Sequence, residues 1–99
     1  MRVISRKILR DYCQSHANSC DALYSWYRVA SKAKWSNITD VQATYKTAES
    51  VGNFTVFNIK GNRYRLITDV VYEYQRIYIK YILPHAEYDK DKWKNDPYY

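Results

Sequence analysis

The stretch FNIKGNRYRLI, Phe57 to Ile67, reads as two apolar-rich strands joined at Gly61-Asn62. Glycine followed by asparagine suits the positive-φ backbone of a two-residue hairpin turn. With that turn, Lys60 faces Arg63, Asn58 faces Arg65 and Val56 faces Ile67. Side chains alternate between the faces of a strand. Lys60, Asn58, Arg63 and Arg65 then share one face, and Phe57, Ile59, Tyr64, Leu66 and Val70 share the other. A slip of one residue would exchange the two faces. Three cations crowd this turn with no acidic residue among them, and like charges repel. Their placement asks for an anionic partner.

Working outward, residues 54–83 are dense in Val, Ile, Phe and Tyr, the chemistry of strands. Three strands are expected, Phe54–Lys60, Arg63–Tyr72 and Arg76–Leu83, with Glu73-Tyr74-Gln75 joining the last two. Pro84 has no N–H for a sheet ladder and ends the third. Ile77, Ile79 and Tyr81 form its core set, which turns Tyr78 and Lys80 toward the basic face. Upstream the periods are helical. Arg2–Ile4 is a candidate opening strand, and Ser5 suits a helix N-cap. Ile4, Ile8, Leu9 and Tyr12 then fall on one face of a helix over Ser5–Gln14. A second helix, Asp21–Lys34, buries Leu23, Trp26, Tyr27 and Ala30. Thr39 or Asp40 caps a further short turn through Tyr45, and residues 46–53 read as a loop. After Pro84 the chain is polar and trails off, with a flexible tail expected beyond about Trp93.

Ninety-nine residues make one domain, 1–99, and a 46% hydrophobic composition supplies a core. Sixteen basic against ten acidic side chains leave a net charge of +6, which draws polyanions at long range. No run of about 18 apolar residues exists, so no membrane span is expected. The opening MRVISRKIL has no apolar h-region or cleavage site. A cytoplasmic protein with Cys13 and Cys20 as reduced thiols is the expectation.

Beyond the third strand lies HAEYDK: His85, Glu87, Tyr88, Asp89 and Lys90. His85 leaves the strand end beside the basic face, and histidine both takes and gives protons near neutral pH. One histidine among lysines makes a poor metal site, so His85, Glu87 and Asp89 are not read as ligands. A solvated face on a one-sided sheet would carry the same cations.

The segment FTVFNIKGNRYRLI followed by YIKYILPHAEYDKDKWK resembles the HigB-type toxins of bacterial toxin–antitoxin pairs, a branch of the RelE superfamily. MRVISRKIL and WYRVASKAKW are similar to the family too, so the resemblance covers nearly the whole chain. It implies an α+β fold, two N-terminal helices packed on a twisted, mainly antiparallel sheet. It implies an endoribonuclease acting on messenger RNA, commonly on the ribosome, without metal or cofactor. It also implies a cognate HigA-type antitoxin with a helix-turn-helix domain. Matching positions give Lys60, Arg63, Arg65, Lys80, His85, Tyr88 and Asp89 as the working set.

Metal-free RNA cleavage uses the 2′-hydroxyl as nucleophile, and needs positive charge for the phosphorane and an acid for the leaving 5′-oxygen. His85 is assigned as that acid and Arg65 as the planar fork on the phosphorane. Lys60 and Lys80 either lower the pKa of the 2′-hydroxyl or bind flanking phosphates. Arg63 and Lys90 join the RNA-binding set, and Tyr78 or Tyr88 stacks a base. Two other classes fit the composition: a non-catalytic RNA- or DNA-binding module, and a protein whose basic face docks an acidic partner.

Overall fold

The hairpin register stands as read: Val56 pairs with Ile67 and Asn58 with Arg65. Around it the computed structural model, which describes Met1–Tyr99, builds one five-stranded sheet. In chain order the elements are β1 (Arg2–Ile4), α1 (Arg6–Ser15), α2 (Cys20–Lys32), α3 (Ile38–Thr44), β2 (Glu49–Val51), β3 (Phe54–Ile59), β4 (Tyr64–Val71), β5 (Arg76–Pro84) and α4 (His85–Asp89). The strand order is β1-β5-β4-β3-β2. Every neighbouring pair is antiparallel except β1 on β5, which is parallel. The architecture is α+β, helices against a mainly antiparallel sheet.

Alternation along β3 and β4 divides the apolar residues between two cores. Phe57, Ile59, Tyr64 and Leu66 face α1 and α2, packing with Leu9, Leu23, Trp26 and Ala30. Phe54, Val56 and Ile67 face the other way and pack with Trp93. The second face is therefore not an open basic surface. The chain beyond α4 folds back as a strap across it: Trp93 is buried, and Asn53 N–H donates to the Tyr99 carbonyl at 3.0 Å. The Tyr99 ring comes so close to Gly52 that a Cβ there would stand 2.7 Å from it. Composition marks this segment as polar, yet a few aromatic rings anchor it.

Several local details depart from the sequence reading. The ladder ends at Ile59–Tyr64, and the positive φ values fall on Lys60 (53°) and Gly61 (66°), one residue earlier than expected. Lys60 thereby leaves the strand and its face. On β5 the pairing steps from Ile67–Tyr81 to Thr68–Ile79, so Lys80 is the extra residue of a bulge. Beyond it the alternation is reversed: Ile82 enters the helix-facing core, and Tyr81 joins the strap side. Glu49–Val51, expected as loop, pairs with β3 as an edge strand.

Ser5 occupies the N-cap of α1 in a left-handed conformation (φ 74°) without a side-chain cap bond. Asn37, rather than Thr39 or Asp40, caps α3, accepting from Asp40 N–H at 2.9 Å while the Asp40 carboxylate accepts from Ser36 N–H at 2.9 Å. Cys13 joins the core where Ile8 was expected, and Ile8 is exposed. Cys13 is paired with Cys20, their Cα atoms 5.0 Å apart across the tight α1–α2 junction, where free thiols were expected. No helix is long and apolar enough to cross a membrane.

Candidate active site

The hairpin tip and the end of β5 meet at one edge of the sheet. Tyr64 pairs with Pro84 as the last rung, and one step further the His85 N–H donates to the Arg63 carbonyl at 3.0 Å. Pro84, extended at φ −60° and ψ 155°, lacks an N–H and closes the ladder, so His85 becomes the first residue of α4. Helical spacing then brings Asp89 back to it: His85 Nδ1 lies 3.0 Å from Asp89 Oδ2. A carboxylate thus stands beside Nδ1, and Nε2 has no protein partner.

Arg65 turns toward the tip from the start of β4. Its Nη1 donates to the carbonyls of Asn62 (3.1 Å) and Tyr64 (3.3 Å), and its Cζ lies 5.4 Å from the centroid of the Tyr88 ring. Nε and Nη2 bond to nothing in the protein, and the exposed Arg63 side chain also has no partner. No carboxylate lies within 4.0 Å of either guanidinium; the ion pairs of the molecule are Lys80–Asp96, His85–Asp89, Lys90–Glu87 and Lys94–Asp91. Tyr88 stacks on Trp93 at 5.1 Å and 15°. Burial pushes the Tyr88 hydroxyl pKa up, Glu49 adds to the rise and Arg65 opposes it.

The remaining candidates lie elsewhere or are engaged. Lys60 Nζ donates to the Asn18 carbonyl at 2.8 Å, tying the tip to the α1–α2 junction; Tyr64 Oη donates to Asn18 Oδ1 at 2.8 Å. Lys90 is held by Glu87 at 2.9 Å on the exposed side of α4. Lys80 pairs with Asp96 of the strap at 3.4 Å, and its ammonium lies 4.9 Å from the Tyr98 ring. Tyr78, opposite Asp69, lines a cavity of about 490 Å³ with Lys80, Asp96 and Tyr98. At about 3.3 Å per residue, Tyr78 stands roughly 20 Å along the strand from His85. Hence Arg63, Arg65, His85, Tyr88 and Asp89 are brought together, while Lys80 and Tyr78 form a separate cluster.

Residues that sequence reasoning missed are Asn62, whose carbonyl holds Arg65, and Trp93, which backs Tyr88. A lone tryptophan in a polar run was the one signal for the latter. No three His, Cys, Asp or Glu side chains converge as a set of metal ligands.

Residues 19–91, spanning the hairpin, β5 and α4, match the model of the HigB toxin, described as the RelE-like toxic component of a toxin–antitoxin system. The chain belongs to that family. An mRNA interferase HigB of Escherichia coli O6:H1 is 27% identical over 93 residues, covering 91% of this chain and 90% of the relative. The mRNA interferase toxin HigB of Escherichia coli K12 is 25% identical over 92 residues, covering 90% and 88%. The mRNA interferase HigB of Shigella flexneri is similar to the same extent, 25% over 92 residues. As the toxic component of such a system, the HigB-family chain has an antitoxin as its partner.

Proposed function

We propose that this toxin is an endoribonuclease that cuts messenger RNA on the ribosome, in the cytoplasm, by attack of a 2′-hydroxyl on the adjacent phosphate. The observation that carries the reading is the backbone bond from His85 to Arg63. It seats a proton carrier beside two guanidiniums that no acidic side chain neutralises. The names of the relatives support the substrate class, since each is an mRNA interferase.

The geometry supports the following chemistry. The 2′-oxygen bonds to phosphorus as the bond to the 5′-oxygen breaks, and the 2′-proton passes to solvent or to the RNA. Negative charge builds on the phosphorane oxygens. Arg65, fixed through Nη1, presents its unbonded Nε and Nη2 edge to two of them. His85 gives a proton from Nε2 to the leaving 5′-oxygen, and Asp89 stabilises the protonated ring through Nδ1. Arg63 holds a flanking phosphate. No step calls on a metal ion, and the products are a 2′,3′-cyclic phosphate and a 5′-hydroxyl. Neutralisation falls to an antitoxin of the HigA type carrying a helix-turn-helix domain.

Expression of the wild type beside His85→Ala, with mapping of mRNA ends, tests this reading. Wild-type cuts should carry cyclic or 3′-phosphate ends and persist in EDTA with purified components. The variant should lose them while still binding antitoxin. Ends bearing a 3′-hydroxyl, or undiminished cutting by His85→Ala, would overturn it.

A further inference from the structure

Trp93 lies just beyond the residues that match the family model, yet it touches the site through one intermediary. Its ring is buried at 4% exposure and stacks on Tyr88, and its Nε1–H donates to the Tyr88 carbonyl at 3.1 Å. Tyr99 closes on it edge-to-face at 5.5 Å and 83°. Tyr88 in turn carries the Arg65 guanidinium. The order Tyr99, Trp93, Tyr88, Arg65 is thus a continuous stack leading from the strap to the group that meets the phosphorane. A five-residue helix such as α4 has too few internal hydrogen bonds to hold Tyr88 by itself. The stack supplies what the helix lacks, a face and a backbone carbonyl both fixed from outside.

We propose that Trp93 is a positioning residue for catalysis: it holds Tyr88 as a rigid platform that aims Arg65 at the scissile phosphate. The proposal rests on the nuclease reading above. It assigns Tyr88 a role different from base stacking, because Trp93 already covers one of its faces and the guanidinium lies against the ring. Aromatic stacking and a cation on a ring face contribute modest energies, but electrostatic stabilisation depends on where the donors point before reaction. Loss of the platform therefore shows in the rate of the chemical step rather than in RNA affinity.

The test is single-turnover cleavage of ribosome-bound mRNA, resolving the limiting rate from the half-saturating concentration, with 15N relaxation of the Arg65 Nε–H alongside. Trp93→Phe keeps a ring and removes the donor to Tyr88. It should lower the limiting rate about ten-fold with half-saturation unchanged, as expected for a misaimed catalytic group. The Arg65 Nε–H should change from ordered to mobile. Adding Trp93→Phe to Arg65→Ala should cost nothing further, because the platform acts through Arg65. Ile77→Val, a change in the helix-facing core outside the cluster that holds Trp93, should lower the melting temperature and leave the limiting rate intact. Should Trp93→Phe fail to fold, Tyr88→Leu gives the same readouts with Trp93 in place. A wild-type rate in a folded platform variant, a multiplicative loss on top of Arg65→Ala, or an Arg65 Nε–H equally ordered in both would overturn the proposal. A wild type that makes no cuts would overturn the nuclease reading, and the relaxation data would still decide whether Trp93 orders Arg65.

Discussion

Two groups of cations sit on the same sheet, and they have been treated in opposite ways. At the hairpin edge, Arg63 and Arg65 have no acidic partner and stand beside His85. At the bulge on β5, Lys80 is matched by Asp96, which also accepts from Tyr81 Oη at 2.7 Å. The net charge counts all three alike. Only the first pair leaves charge unspent, and unspent charge at a fixed point is what binds and stabilises a phosphorane. The Lys80 cluster fastens the strap, whereas the arginine edge is kept available.

The largest expected effect tests that contrast at Arg65. Arg65→Ala should slow cleavage by about 10²–10³, the usual loss of one transition-state contact. Lysine should rescue it poorly, since a point charge does not reproduce a two-pronged edge. RNA affinity should fall little in either variant, as filter binding would show. Arg63→Ala should do the reverse: weaker binding, with the salt slope reduced by about one counterion, and cut positions unchanged. Cut sites that move while the salt slope stays fixed would mean that Arg63 reads bases.

The hairpin register was legible because an apolar alternation on both strands admits one pairing that buries it. The arginine edge was legible for the same reason, since Arg65 follows from the register of Asn58. The Lys80 side was not. A bulge depends on how β4 and β5 pack, and nothing local to YIKYIL announces it, so Tyr81 was assigned to the wrong core. The left-handed backbone at Lys60, a poor candidate for positive φ, removed that lysine from the face on which alternation had placed it. Asp89 stood four residues from His85, a spacing that means contact only on a helix. The short α4 was not evident in a segment that composition marks as polar loop. The strap was missed because its anchoring rests on a few aromatic residues and one backbone bond rather than on a periodic pattern.

A smaller effect concerns what stands behind the arginine edge. Tyr12 stacks on His16 at 4.0 Å and meets Tyr64 edge-on at 5.9 Å, and its buried hydroxyl has no partner. Burial, with Tyr64 second, pushes its pKa up to about 12 from 10.0. Because the unfolded chain ionises first, folding loses stability as pH rises from 10 toward 12, with Tyr45, Tyr72, Tyr81 and Tyr88 shifted in the same direction. Tyr12→Phe removes both the unpaired hydroxyl and the titration. Urea melts should show a gain of about 1 kcal/mol at neutral pH and a shallower alkaline decline. Cleavage should be unchanged, since the ring that packs behind the tip remains.

The smallest effect is expected at Lys80, and it is the most direct challenge to the contrast between the clusters. If Lys80 serves the strap and not RNA, Lys80→Ala should leave the salt slope of RNA binding where it was, with cleavage slowed only so far as Trp93 is freed. It should instead loosen residues 92–99, seen as a modestly lower melting temperature and altered tryptophan fluorescence. The pH dependence sharpens this. The hydrogen bond from Tyr81, then the backbone N–H of Tyr98 and the Lys80 ammonium, hold the Asp96 carboxyl below its ordinary value. A depressed folded-state pKa means that the stabilisation is present above the ordinary carboxylate range, about pH 4, and is lost as pH falls through the folded value. The strap should therefore be indifferent to pH near neutrality and release only in acid. Removing Lys80 should move that release slightly toward higher pH, because the Tyr81 bond, the larger cause, remains. A reduced salt slope in Lys80→Ala would instead show that this lysine meets phosphate, and the two groups of cations would then form one RNA-binding surface.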